Sequence, residues 1–331
     1  MAYSCDFPYN DFGHWLKSRF PFKVQKLTIN GSFTCPNRDG SIGRGGCAFC
    51  NNKTFTPAYC QPTDSITQQL QEGKRFFSRK YPDMKYIAYF QAYTNTYAKL
   101  DTLKRRYEEA LQVDDVVGIA IGTRPDCVDG PLLDYLESLA RHTMVMVEYG
   151  IESANDDTLR RINRGHDFAC SQRAINETAR LGIITGGHVI IGLPGEDRKE
   201  SIRQASLISA TRLDILKIHQ LQVTKDTQLG ETYIQEPFPL YTVDEYIGLL
   251  AEYIGHLRPT LVLERFTSQS PKDLLIAPHW GLKNHEFTNL FVNYLRKHGM
   301  YQGMYCHDND CIGGDKVANH ATSLKCGTCA F

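Results

Sequence analysis

Short apolar runs alternate along most of the chain with longer stretches in which apolar residues recur every three or four positions. Residues 24–29, 86–90, 116–121, 144–149, 183–191 and 215–221 are rich in β-branched and aromatic side chains and read as strands. Helical spacing fills the intervals: 65–79, with Asp64 placed to cap it, then 100–111, 132–140, 170–181 and 200–209. Six strand-then-helix units predict a parallel sheet covered by helices, because parallel neighbours need a crossover between them. Periodicity leaves two closures open, a partial barrel and an open doubly wound sheet. Both place functional groups on the loops that leave the carboxyl ends of the strands.

The pattern changes beyond the sixth unit. Pro237 and Pro239 mark a join, 243–257 is helical, and 260–266 reads as an added strand. The expected division is an N-terminal helical segment over 1–23, a barrel-like body over 24–240, a C-terminal α/β extension over 241–300 and a cysteine-rich tail over 301–331. With 42% hydrophobic residues among 331, the chain can bury a sizeable core and is not a disordered polymer. No apolar run approaches a membrane span, and the segment from Met1 to Arg19 lacks a basic-then-apolar leader, so a cytoplasmic protein without a membrane partner is expected. The 37 basic residues balance 37 acidic ones, which leaves room for a local basic patch but gives no general support for a nucleic-acid partner.

Eleven cysteines, an odd number unevenly placed, point to metal ligation in a reducing compartment rather than to a disulfide framework. Three follow the first strand: Cys35 in Thr34-Cys35-Pro36-Asn37-Arg38-Asp39-Gly40, then Cys47 and Cys50 in Gly45-Gly46-Cys47-Ala48-Phe49-Cys50. A structural zinc site closes with four ligands, whereas a cubane cluster on three thiolates leaves one iron open for chemistry. The glycines of this loop suggest a phosphate cradle, but no Gly-Lys-Ser/Thr follows them.

Through these residues the chain resembles the radical S-adenosylmethionine (SAM) enzymes of the YhcC-like family, related to the radical SAM domain of the Elongator catalytic subunit. Eleven residues separate Cys35 from Cys47, a departure from the usual Cys-x3-Cys-x2-Cys that the YhcC-like and Elongator-like branches share. The stretch from Pro271 to Lys283 also resembles the carboxyl-terminal segment of YhcC-like proteins. The resemblance implies an α/β fold, a partial (βα)6 TIM-like barrel with a C-terminal extension. It also implies a [4Fe–4S] cluster on Cys35, Cys47 and Cys50, SAM chelated by the open iron, and reductive cleavage to a 5'-deoxyadenosyl radical. An electron donor such as flavodoxin or ferredoxin is implied with them. The cofactors carry the chemistry and the protein positions them.

The same resemblance implies SAM contacts at the later strand ends. Phe49 stands near the adenine position. Gln91, Thr94 and Asn95 replace a segment that reads the methionyl amine, although a capped turn explains them equally. Thr123 and Arg124 lie in Gly122-Thr123-Arg124-Pro125-Asp126, where the guanidinium suits an anionic ligand and also a structural pair with Asp126. Glu152 and Arg164, twelve residues apart, match a pair that holds the ribose and carboxylate, with Glu152 where most relatives carry glutamine. This pair is expected to act on SAM binding rather than on cluster assembly. His188 reads as a cofactor contact or as a core histidine. Gly192 begins Gly192-Leu193-Pro194-Gly195-Glu196, a segment resembling one laid against adenine. Lys217 and His219 face a barrel interior or fill a buried strand. Cys5, Cys60, Cys127 and Cys170 read as small buried hydrophobes.

Cys306, Cys311, Cys326 and Cys329, with His307 and His320 as substitutes, suit a zinc ion, a second iron–sulfur cluster or unmetallated thiols. Three functions follow. Kinship with the Elongator subunit points to tRNA, at the C5 side chain of a wobble uridine, with the tail as a zinc element at the cavity mouth that helps engage RNA. A small metabolite or a peptide is the competing substrate. A non-catalytic zinc-stabilised binding protein, closed by the three loop cysteines and one from the tail, is the third reading. Lys104-Arg105-Arg106 and Arg160-Arg161 suit phosphates but read more simply as solvated helix faces.

Overall fold

Successive residues of a strand face opposite sides of a sheet, and here the two sides bury different things. In the computed structural model, which describes residues 7–61, 63–78 and 83–306, a helix α1 (Phe12–Arg19) precedes β1 (Val24–Ile29). There follow α2 (Ile66–Ser78), β2 (Lys85–Phe90), α3 (Leu100–Leu111), β3 (Val116–Thr123), α4 (Gly130–Ala140) and β4 (Met144–Glu152). After them come α5 (Asp156–Arg161), α6 (Phe168–Arg180), β5 (Ile184–Ile191), α7 (Arg198–Ser209) and β6 (Ile215–Gln220). The remainder is β7 (Val223–Thr224), α8 (Gln228–Gln235), α9 (Val243–Gly255), β8 (Val262–Arg265), β9 (Leu275–Ala277) and α10 (Asn284–His298).

The main sheet has seven strands in the order β1-β2-β3-β4-β5-β6-β8, every pair parallel. Thus the added strand at 260–266 joins the same sheet as β8. Leu27, Ile29, Phe90, Ile119, Ile121, Val147 and Ile218 pack outward against the helices. The alternate positions Ile87, Tyr89, Ala120, Met146 and Ile215 form a second core with Phe12 of α1. Lys26 of β1 meets Glu264 of β8 at 2.7 Å, so side chains of the two edge strands touch. The sheet therefore curls on itself as a partial barrel, which settles the choice that periodicity left open.

Helix starts follow side-chain caps: Asp129, Asn155, Asp167, Asp197 and Thr227 each accept from a backbone N–H of the first turn. For α2 the cap is Ser65 rather than Asp64. Ser65 Oγ accepts from Gln68 N at 3.1 Å, and Gln68 Oε1 accepts from Ser65 N at 2.8 Å, a reciprocal box that Asp64 lacks the spacing to make.

The chain reaches Cys306 at the amino end of the strands. Gln302 donates to the carbonyls of Arg258 and Leu261, just before β8, and Tyr305 N donates to Gly255 O at the end of α9. Cys306 is thus at the face opposite the strand carboxyl ends, and the expectation of a tail module at the cavity mouth rests on residues outside those described. Cys311, Cys326 and Cys329, with His307 and His320, lie outside the described residues, as does Cys5.

Candidate active site

A cavity of about 300 Å³ opens at the carboxyl ends of the strands and is lined by Cys35, Cys47 and Cys50. The loop that carries them is tied down locally. Arg38 N and Asp39 N both donate to Cys35 O, Gly46 N donates to Asn37 O, and Cys50 N donates to Cys47 O. It is also pinned to the segment after α5. Ala48 N donates to Ile162 O, Asn37 Nδ2 to Asn163 O, and Asn163 Nδ2 back to Gly46 O. Arg164 follows directly, which is why it reaches the loop.

The surroundings of the thiols are cationic. Arg164 Nη1 donates to Cys47 Sγ at 3.4 Å, Asn37 Nδ2 approaches the same sulfur at 3.7 Å, and Arg38 Nη2 donates to Cys50 O. Burial, then the neighbouring Cys47, push the Cys50 thiol up to about 11, a cost that a metal-bound thiolate with Arg38 beside it relieves. Among the described residues no three His, Cys, Asp or Glu side chains converge on one ion. A cubane asks for something else, one thiolate on each of three irons, and three cysteines on one cavity wall fit that demand.

Glu152 and Arg164 come together on this wall. A bulge between Gly150 and Glu152 shifts the β4–β5 register, and Glu152 takes φ 67°, left-handed backbone that re-aims its side chain. Its Oε1 lies 3.6 Å from Arg164 Nη2, which also donates to Gly150 O at 2.5 Å. Any Cβ at Gly150 would stand 2.4 Å from that carboxylate and 2.6 Å from the guanidinium, so glycine makes room for the pair. Arg124 forms a two-pronged bridge to Asp126, at 2.9 and 2.7 Å. Arg124 Nη1 and Arg164 Nε are nonetheless buried without hydrogen-bond partners among the described residues. Two cationic donors left over beside one cavity fit an anionic ligand.

Phe49, Gln91, Thr94, Thr123 and His188 line the same cavity. Asn95 and Gly192 do not. Asn95 Nδ2 donates to Phe90 O and Gly122 O, at 3.1 and 2.8 Å, which locks the ends of β2 and β3 together. Gly192 has φ 95° and lies against the Tyr241 ring, where a Cβ would come to 3.3 Å. Its freedom serves packing.

Beneath the cavity, inside the sheet, sits a charge cluster that sequence reasoning missed. Lys26 Nζ bonds Glu148 Oε1 at 2.6 Å and Glu264, and Lys217 Nζ bonds Glu148 Oε2 at 2.7 Å and Tyr89 OH at 3.3 Å. His188 Nε2 reaches Glu148 Oε2 at 3.0 Å. Gly186 makes space for Glu148, since a Cβ there would meet its Cγ at 2.8 Å. Burial opposes ionisation of Glu148, yet Lys217 and Lys26 hold its carboxyl well below the usual range. Lys217 and His219 thus face inward.

The sequence pattern of the Radical SAM superfamily matches residues 33–204, and that of the Radical_SAM C-terminal domain matches 213–297. The chain belongs to the radical SAM superfamily. It is 35% identical over 297 residues to the uncharacterized protein YtqA of Bacillus subtilis, covering 90% of this chain and 92% of that one. It is 37% identical over 292 residues to protein YhcC of Escherichia coli, covering 88% and 93%. A tRNA uridine(34) acetyltransferase of Methanocaldococcus jannaschii is 23% identical over 202 residues, 58% of this chain and 36% of that protein. The solved structure of the archaeal Methanocaldococcus infernus Elp3 with an N-terminal deletion superposes with a TM-score of 0.62 at 15% identity, over 85% of this chain and 64% of that one. That likeness establishes the shared radical SAM fold. The protein is accordingly a radical SAM enzyme, a superfamily that uses SAM and a [4Fe–4S] cluster, and its substrate is open. Among the described residues no helix is long and apolar enough to cross a membrane.

Proposed function

We propose that this radical SAM enzyme modifies tRNA. When bound on Cys35, Cys47 and Cys50, the cluster supplies the electron that cleaves SAM. The chain's own residues do the positioning. Arg164 and Glu152 hold the carboxylate and ribose ends of SAM, Gln91, Thr94 and Thr123 offer polar groups along the same wall, and Phe49 offers a flat face for adenine. Arg124 adds its unpaired Nη1. An electron donor such as flavodoxin or ferredoxin would serve the cluster. The free thiols Cys35, Cys47, Cys50, Cys60, Cys127 and Cys170 suit a reducing, cytoplasmic setting.

One observation carries the RNA reading: two aromatic side chains, Phe55 at 38% and Tyr93 at 40% exposure, stand in water while also lining the cavity. Arg38 and the exposed Arg265 line it as well. Exposed rings interleaved with arginine are what an unstacked base and its phosphates require. Tyr93 is held there at φ 65° by a bond from its N–H to Asn52 Oδ1 at 3.1 Å, a strained backbone that the neighbouring loop fixes. The name of the archaeal acetyltransferase relative, which specifies uridine 34 of tRNA, agrees with this choice. The tail is proposed as a zinc element on ligand chemistry alone, and the division at residue 240 on the proline join.

The test is tRNA affinity at rising salt for wild type, Phe55→Ala and Tyr93→Ala. Wild-type binding should weaken steeply with salt, and each substitution should cost about tenfold, within the ~1–3 kcal/mol of one base stacked on an aromatic ring. No tRNA binding by wild type at low salt overturns the proposal in favour of a small molecule or peptide.

A further inference from the structure

The cavity floor carries a line of four groups outside the SAM contacts proposed above. Ser268 Oγ lies 2.6 Å from His219 Nδ1, His219 Nε2 lies 3.3 Å from His188 Nδ1, and His188 Nε2 lies 3.0 Å from Glu148 Oε2. The two imidazoles stack with centroids 5.3 Å apart. Ser268, His219 and His188 all line the cavity, and Glu148 closes its base.

The carboxylate sets the direction of every bond in this line. Glu148 is ionised, with Lys26 on one oxygen and Lys217 on the other, so it only accepts. His188 then donates from Nε2, and in its neutral form this leaves Nδ1 bare. His219 must donate to that atom from its own Nε2, and its bare Nδ1 must accept the Ser268 hydroxyl proton. The result is a chain of donors that all point toward Glu148 and a serine oxygen whose lone pairs are left for the cavity. The other charged groups that act on His219 are Arg265 on β8 and Lys217 on β6.

We propose that Ser268, His219 and His188 form a proton path that takes up a proton from an O–H or N–H of the substrate, with Glu148 holding the resulting imidazolium of His188. The substrate proton bonds to Ser268 Oγ as the serine proton moves to His219 Nδ1. The His219 Nε2 proton moves to His188 Nδ1. One proton leaves the substrate, one is gained by His188, and no electron moves. Glu148 stays ionised, as the carboxylate of a catalytic triad does. Burial, then His188, Arg265 and Lys217, hold His219 well below the ordinary histidine range, so the proton passes through it and rests on the ring beside the carboxylate. The path gives the radical SAM reading a base on its substrate side and rests on that reading for the reaction it serves.

Nitrogen-15 NMR of the histidine rings in the full-length protein tests it, with no RNA present, so its outcome is independent of the tRNA proposal. In wild type at neutral pH both rings should carry their proton on Nε2 and leave Nδ1 bare. Ser268→Ala, a change at the cavity edge that spares the ion cluster, should keep both tautomers. It should shift the nitrogen-15 resonance of His219 Nδ1, which then loses the hydroxyl proton it accepts at 2.6 Å from Ser268 Oγ. An Nδ1 proton on either wild-type ring, or a His219 Nδ1 resonance unmoved by Ser268→Ala, overturns the proposal.

Discussion

Arg164 Nη1 lies 3.4 Å from Cys47 Sγ, so the side chain matched to a SAM contact also touches a thiol of the cysteine loop. The expected separation between SAM binding and cluster assembly does not survive that contact. Arg164→Ala should lower SAM affinity at least about tenfold, the scale of one charge-assisted contact, and should also speed loss of iron to a chelator. Arg164→Lys keeps the charge without the planar fork and should restore iron retention before SAM affinity. Iron content over time and SAM titration, on the same reconstituted samples, separate the two. Full iron retention in Arg164→Ala would show that the contact to Cys47 has no part in holding the cluster.

Cys35→Ala, Cys47→Ala and Cys50→Ala should each abolish both iron–sulfide content and SAM cleavage. Cys60 is a control from the same stretch, since its thiol donates to Thr28 O at 2.9 Å, with the sulfur buried away from the cavity. Cys60→Ala should keep both properties. Zinc in place of iron and sulfide in anaerobically purified protein would instead support the non-catalytic binding protein.

Lys26 is the keystone of the buried charge cluster, and removing it strands two carboxylates. Lys26→Met should destabilise the protein by about 3–5 kcal/mol, because Glu148 and Glu264 then keep Lys217 as their one lysine partner in a desolvated site. Lys26→Met with Glu264→Leu should cost less than the two single changes added together, since the second removes the charge that the first leaves unpaired. Urea denaturation of the four proteins measures both effects. Strict additivity would mean that water reaches the cluster.

What the sequence made legible and what it hid follow from the range of the interactions. Strands such as Val24–Ile29 and helices such as Leu100–Leu111 rest on local periodicity, and the cysteine loop rests on spacing, so both could be read directly. The charge cluster rests on curl. Lys26 and Glu264 are 238 positions apart and meet only because the sheet brings its edges together. In a single strand Lys26 looks like a solvent-facing alternate. Asn95 and Gly192 are hard to read for a related reason: a polar side chain and a glycine at a strand end serve packing as readily as ligand binding, and their partners, Gly122 O and the Tyr241 ring, become visible only in the fold. The available signal was Gly186-Gly187 inside a strand, which marks a bulky group on its neighbour, here Glu148.

His166 supplies a prediction in pH. Burial, then the adjacent Arg164, push its imidazole down to about 3, and its Nδ1 donates to Asp167 O at 3.1 Å while its buried Nε2 finds no partner among the described residues. The unfolded chain binds a proton at this ring near the ordinary value of 6.5, and the folded protein refuses it until far lower pH. The stability carried by the neutral ring is therefore complete above about pH 6.5 and is lost as pH falls toward 3, by about 2 kcal/mol between pH 7 and pH 5. His219 is shifted in the same direction and adds a slope of the same sign. Glu148 titrates below this window and leaves it clear. Urea unfolding at pH 7, 6 and 5 should thus show falling stability in wild type and a visibly shallower fall in His166→Gln, whose amide takes no proton. Equal slopes in the two proteins would mean that His166 is already protonated in the fold, in contact with Asp126 rather than held neutral beside Arg164.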